Sequence, residues 1–481
     1  MKDNIEQFDV VIVGNGILGY STAYALFLED PTLAICIIGP YHRPGGATPA
    51  AGAMLGCFGE VTSTSLASKY GREKLEMDIQ AMGMWQQWLD GINEKNPEKK
   101  AVKITPGTFI IENTQSGVME DKNYKTILTA LNEYKQPYQA VDPYDIPGLN
   151  PVESCRPLNA IYLPNEGSLD TVQVLDRIHG ALQANARIAF INQEVEKVVK
   201  TSDGFDVETS HGEKIVGTQV VIASGANSQK IIDQLPIKNN IPLIFAGVGL
   251  SVQIEKIPTK INSVIRTPNR AFACGLHVVP RDDSIYIGAT NYLSFTPVLR
   301  PNIEDVYNLL RNTLVQINGD FDTSEIISFS TGNRPITIDT YPLIGSTSMK
   351  GLWFLTGTYR DGFHMSPLLA QHIAREMLGK KGLFNNIFQP ERRPIDRFTK
   401  EEAIAETTDH YLGTYHEFGV EIPGNWWQET LNESLHRKAA AIYEALGTKY
   451  ILSPEFIPFI DSDKEKHISF FKQYFDTLAQ E

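Results

Sequence analysis

The sequence predicts an α/β fold built on a parallel sheet, joined to a second unit of α+β type with a mainly antiparallel sheet and followed by a helical C-terminal extension. Three observations predict it. Residues 9–26, "DVVIVGNGILGYSTAYAL", read as a β-branched strand, a glycine turn and a helix; residues 191–228 read as a meander returning to a buried strand; and from about residue 396 apolar residues recur at helical spacing. At 481 residues the chain exceeds what one hydrophobic core organises, so two or three domains are expected.

Composition narrows the function classes. With 42% hydrophobic and 21% charged residues the chain is of the soluble globular type. A formal net charge of -14, with no compensating basic run, disfavours nucleic acid and anionic membrane surfaces as partners. The polar, acidic first seven residues lead straight into a strand and no apolar stretch reaches spanning length, so a cytoplasmic location is expected. Cys36, Cys57, Cys155 and Cys274 lie far apart without metal-ligand spacing, so buried thiols and no metal are expected; only Cys57 falls in a segment expected near a cofactor.

In the opening motif, Val10 to Val13 suit a strand covered on both faces. Gly14, Gly16 and Gly19 then form G-x-G-x-x-G: the first permits the turn, the second lets backbone approach a pyrophosphate, and the third lets the helix pack on the strand. The helix beginning at Ile17 and Leu18 points its positive end at that phosphate. Such a turn serves NAD and FAD alike. The second strand, residues 33–38, should end in an acid for the ribose, yet Gly39 stands there. This weakens NAD, leaves NADP open through Arg43, and suits FAD if backbone groups or His42 reach the ribose.

Three further segments bear on the choice. "GGATPAAGAML", residues 45–55, is a run of small residues through which backbone donors reach a phosphate or a flat ring. The meander turns at Ser202-Asp203-Gly204 and His211-Gly212, and its last strand ends at Ala223-Ser224-Gly225, an arrangement a plain NAD dehydrogenase does not need. After "STGNRPITIDTYPLIG", residues 352–379 read as a strand, a loop over 357–365, and a helix with Ser366 as N-cap, Pro367 at its first position and Gly379 as its stop. A helix so placed stabilises negative charge on a reduced flavin ring.

Taken together, these motifs resemble the D-amino-acid oxidase superfamily of FAD enzymes, most closely its glycine oxidase and sarcosine oxidase branch. The likeness spans residues 9–378 and also rests on "HVVPRDDSIYIGAT" and the Glu194-Val195 strand start. The resemblance implies a Rossmann-like, two-dinucleotide-fold domain that binds FAD without a covalent link. Gly14, Gly16 and Gly19 would cradle the pyrophosphate and Val195 would meet the adenine. Thr48 would also bind the cofactor, and Ala51, Gly52, Ala53 and Met54, with Arg360, Asp361, Gly362, Phe363, His364 and Met365, would line the isoalloxazine. Arg334, in "GNRP", matches the family's carboxylate clamp. His277, Tyr359, His364 and Arg360 are further candidates for the substrate pocket.

The resemblance also implies a discontinuous layout: FAD-binding pieces at 1–85, 160–235 and 330–395, substrate-binding pieces at 86–159 and 236–329, and the extension at 396–481. "AGVGLSVQI", "SVIRT", "ACGLHVVPR" and "SIYIGAT" read as substrate-sheet strands. In the tail, Asn425 follows Pro423-Gly424 as a helix N-cap, and Trp427, Leu431, Leu435, Ala439, Ile442 and Leu446 form a stripe; Ser462 and Glu465 read as the capping box of a last helix. The stripes are expected to pack on the protein's own body, with a dimer interface or a lid as alternatives.

The expected reaction is oxidation of a small primary or secondary amine or amino acid to an imine by hydride transfer to flavin N5, with O2 as acceptor giving H2O2, or another acceptor. Two alternatives accompany it: oxidation of a 2-hydroxy acid on the same scaffold, and a non-catalytic flavin-binding partner protein.

Overall fold

The computed structural model describes residues 7–114, 117–256, 258, 260–272, 274–420 and 425–480. Among these, the strands form one sheet of eight and one of ten. In the first sheet Leu352–Thr356, Lys214–Ile222, Phe8–Val13, Ile35–Ile38 and Ile188–Ile191 run parallel in that order. The meander Val195–Lys200 and Phe205–Thr209 leads into Lys214–Ile222, so that its return strand pairs directly with the first strand.

The first strand is apolar at every inner position because both its faces are covered. Val10 and Ile12 join the core under the helices Ile17–Glu29 and Ser366–Met377, while Val11 and Val13 pack with Phe205, Val207 and Ile232 beneath the meander. Helix and strand come so close that a Cβ on Gly19 would lie 1.9 Å from the Gly14 carbonyl oxygen.

The second sheet is mainly antiparallel. Its long strand Ile244–Glu255 pairs antiparallel with Ser284–Gly288, Tyr292–Ser294 and Ile326–Thr337, while Val264–Arg266 runs parallel to Thr105–Glu112. All four expected substrate-sheet strands are here. The sheet also recruits Met54–Leu55, while Asn159–Ser168 straddles residue 160 and Ile326–Thr337 straddles residue 330.

The C-terminal helices Lys400–Glu417, Asn425–Leu446, Ile457–Ser462 and Lys464–Gln480 pack on this sheet. Phe245, Leu293, Ile336 and Ile338 share one core with Leu446, Phe456, Phe471, Phe475 and Leu478. The stripe therefore covers the protein's own body. Leu435, Ala439, Ile442 and Leu446 are buried, whereas Trp427, eight residues before Leu435, is exposed.

Three helix starts differ from expectation. Ser366 is the first helical residue, with Met365 in the cap position, because the preceding loop already winds back on itself through Met365 N–H to Asp361 O at 2.8 Å. Ser462 closes a short helix, its hydroxyl donating to Phe459 O at 2.7 Å, so the last helix begins only after Asp463. Asn425 is itself helical, and the Pro423-Gly424 turn lies outside the described residues. Gly379 does end its helix, with φ of +71°. Among the described residues no helix is long and apolar enough to cross a membrane, and all four cysteines are buried and free.

Candidate cofactor and substrate site

The carboxyl ends of four parallel strands open into a cleft lined on its other side by the second sheet. Gly14 follows Val13, Gly39 follows Ile38, Ala223 follows Ile222, and Thr358 lies just past Thr356; Gly249, His277, Tyr286 and Arg334 face them. Ligands of open α/β sheets bind at such strand ends.

The glycine turn is built for close approach. Gly14 takes φ of +116°, and a Cβ there would sit 2.4 Å from Ala223 O. Gly16, Ile17 and Leu18 line the cleft, and the Ile17 N–H donates to Thr48 Oγ1 at 3.1 Å, tying the helix start to the small-residue run. Gly19 lies behind the turn and acts through helix packing alone. On the far strand Ala223, Ser224 and Gly225 line the cleft, and a Cβ on Gly225 would meet open space.

The run over residues 45–54 is held from the second sheet. Tyr286 Oη and Ser251 Oγ donate to Ala50 O at 2.9 and 3.1 Å, and Arg281 Nη2 donates to Gly52 O at 2.9 Å. Thr48, Ala51, Gly52, Ala53 and Met54 all line the cleft, as do Glu194 and Val195. Of the described non-glycine residues with positive φ, Arg43, Ala53 and Tyr359 line this cleft, a concentration of backbone strain typical of binding sites.

At the expected ribose position, Gly39 has a steric cause. The Asn15 side chain lies over it and donates from Nδ2 to Pro40 O at 3.0 Å, and Arg43 Nε donates to Asn15 O at 2.8 Å. Arg43 lines the cleft with its guanidinium 5.1 Å from the Tyr20 ring centre; His42 is exposed and stands outside the lining residues.

The second loop brings Tyr359, Arg360, Asp361, Gly362, Phe363 and His364 to the cleft, while Met365 is wholly buried at the helix start, away from it. Phe363 stacks on Trp85, with ring centres 5.2 Å apart, and Trp85 Nε1 donates to His364 O at 2.7 Å, which stiffens the loop. His364 Nε2 donates to Asp78 O at 2.7 Å, and burial pushes its pKa down. His277 is buried, donates from Nδ1 to Gly275 O at 2.8 Å, and burial lowers its pKa to about 4. Its ring is therefore neutral, with Nε2 as the free acceptor.

Arg334 lies against Gly249, where a Cβ would fall 2.3 Å from Nη1. Its Nη1 donates to Thr290 O and Asn291 Oδ1, both at 3.2 Å, and among the described residues no carboxylate pairs with it. Asn291 Nδ2 donates to Tyr359 Oη at 3.0 Å, and Arg360 Nη2 donates to the same hydroxyl at 3.1 Å. Beside Arg360, Glu60 takes Arg266 Nη1 at 2.5 Å; burial alone would raise its carboxyl, but Arg266 and Arg360 hold it at about 2.

Sequence reasoning missed Asn15, Glu60, Tyr286, Asn291 and Asn333. Only Asn333, beside Arg334 in "GNRP", had a local signal. It pins two loops at once, donating to Gly45 O and Val298 O at 2.8 Å each.

This cleft, with its glycine turn, small-residue run and strained second loop, defines a dinucleotide-dependent oxidoreductase. A family model described as FAD dependent oxidoreductase matches residues 9–376, and the chain belongs to that family. Its cofactor is FAD. The D-amino acid dehydrogenase of Vibrio vulnificus (strain YJ016) is 29% identical over 238 residues, which is 48% of this chain and 54% of that protein. The mitochondrial L-2-hydroxyglutarate dehydrogenase of Homo sapiens is 25% identical over 308 residues, 60% of this chain and 62% of that protein. The crystal structure of glycine oxidase from Geobacillus kaustophilus superposes with a TM-score of 0.69 at 22% identity, covering 81% of this chain and 99% of that one. The chain spans about half the length of the first curated relatives it matches, 54% and 53% of two of them.

The residues present fit FAD. Gly16 and Gly225 bring no side chain to the cradle, and the small residues 47–54 and the loop 358–364 line the rest of the cleft.

Proposed function

We propose that the protein oxidises a small amine or amino acid to an imine, using FAD and passing the electrons to O2 or to another acceptor. One observation carries this reading: Arg334 presents a guanidinium to the cleft with carbonyl and amide partners only, an arrangement suited to a substrate carboxylate. Bound FAD supplies an acceptor for the hydride leaving the carbon beside nitrogen.

The chain's own residues do the rest. Arg334 fixes the carboxylate, Asn291 fixes Arg334, and the neutral His277 ring, stacked on Tyr286 at 5.7 Å, offers Nε2 as an acceptor for an amine hydrogen. An amine that arrives deprotonated needs no further base. The test is anaerobic addition of amines and amino acids to the yellow protein. Loss of the flavin absorbance supports the reading; a flavin that no amine or amino acid reduces overturns it.

A second reading, oxidation of a 2-hydroxy acid, is favoured by the match to the human L-2-hydroxyglutarate dehydrogenase. It requires a base for the hydroxyl proton, and His277, at about 4, is a weak one. Bleaching by hydroxy acids and not by amines would decide for it. We also place the enzyme in the cytoplasm, where buried thiols stay reduced; cell fractionation tests this.

A further inference from the structure

Arg360 stands where three cavities meet. With Arg334 it lines the cofactor cleft, and it also lines a chamber of 110 Å³ and a smaller pocket that adjoins it. That chamber is well above the roughly 10–15 Å³ a single water needs. Its outer wall includes Arg397 and Glu455, from the segment beyond residue 376 where the family match ends.

Most charges around the chamber are in direct contact with an opposite charge. Lys74 pairs with Asp361 and, at 3.1 Å, with Asp78; Arg397 pairs with Glu455 at 3.2 Å; Arg266 and Asn269 take up Glu60. Arg360 has no ion pair among the described residues. Its one hydrogen-bond partner there is Tyr359 Oη, and its Nε is buried without a partner. Glu60 lies near enough to favour its charged form, but no carboxylate reaches it directly, and a bound anion would satisfy the donors left over.

Arg334 and Arg360 are also held in register, through Asn291 and Tyr359. Two unpaired guanidinium groups at a fixed separation match a ligand with two carboxylates.

We propose that the substrate is an amino dicarboxylate: Arg334 holds the carboxylate next to the amine, and Arg360 holds a second, distal one at the mouth of the side chamber. This rests on the amine-oxidation reading above. The wall from the C-terminal segment makes the chamber a feature of this chain beyond the matched family region.

The test is anaerobic reduction of the bound flavin by both enantiomers of aspartate and glutamate and by iminodiacetate, against glycine, sarcosine and both alanines. The expected result is half-saturation at a concentration at least tenfold lower for a dicarboxylate than for any monocarboxylate. In Arg360→Met that ratio falls towards one, while Arg334→Met weakens both kinds of substrate. Monocarboxylates that bind as tightly as dicarboxylates overturn the inference and leave amine oxidation standing; reduction by neither kind overturns both. Should Arg360→Met fail to hold FAD, the unmodified protein decides. Succinate and glutarate should perturb the flavin spectrum at concentrations well below those of acetate and propionate, and equal affinities overturn the inference.

Discussion

The Asn15 carboxamide covers Gly39: a Cβ built on Gly39 would lie 2.6 Å from Asn15 Oδ1. The acid expected at this strand end is excluded by its neighbour's side chain. Gly39→Glu alone should destabilise the fold by about 1–3 kcal/mol through overpacking. Adding Asn15→Ala should recover most of that loss. Urea melts of the four proteins give the coupling, and strictly additive effects would falsify the steric account.

The first two glycines of the turn should respond differently. In Gly14→Ala the new methyl meets Ala223 O at 2.4 Å, so the fold itself suffers. In Gly16→Val the nearest obstacle is Thr48 Oγ1 at 3.3 Å, so the chain should fold while the added side chain occupies cofactor space. Absorbance and circular dichroism separate the outcomes: a folded, colourless Gly16→Val is expected, and a fully yellow one contradicts the cradle.

Removing the clamp should affect binding of the carboxylate. Arg334→Met loses a charge-assisted contact worth about 1.5–3 kcal/mol, or roughly 10- to 100-fold in apparent affinity, with FAD content unchanged. Asn291→Ala should give a smaller rise in KM, since the guanidinium keeps Thr290 O. Steady-state kinetics on a carboxylate substrate check both; an unchanged KM in Arg334→Met removes it from the site.

His277 links stability to pH. Its folded pKa, about 4, lies below the ordinary 6.5, so the unfolded chain binds the proton more readily between those values. Stability therefore increases as pH rises from 4 to 6.5, and the contribution of this histidine is lost again as pH falls, by about 3 kcal/mol at most. His277→Gln should flatten that part of the profile relative to the parent. Parallel profiles for the two proteins would show that His277 titrates normally.

The C-terminal core is predicted to be structural. Phe471 is wholly buried, stacked on Phe245 at 5.9 Å and edge-on to Phe456 at 6.1 Å. Phe471→Ala should cost about 3–5 kcal/mol, read as a lower melting temperature with full FAD loading.

Much of the cofactor site was legible because it is written in short strings. The glycine turn, the residue 45–55 run and the meander each obey local rules of turn and strand, and each lines the cleft where those rules place it. What was not legible depends on meetings between distant segments. Asn291 reaches Arg334 across two strands, and Glu60 meets Arg266 over 200 positions away in the chain. The Ser366-Pro367 pair looked like a helix start, but the strained loop before it had already begun to wind, which moved the boundary by one residue. His42 was assigned by proximity to the expected ribose, whereas the positive φ of Arg43 turns Arg43 toward the cleft and leaves His42 outside it.

Every residue lining the cofactor cleft precedes residue 365, whereas Arg397 and Glu455 wall the side chamber and rest on the layer that contains Phe471. The segment that walls the chamber thus adds nothing to the lining of the cleft, so changes confined to residues 397–455 can reshape the chamber while the cleft keeps every side chain that lines it.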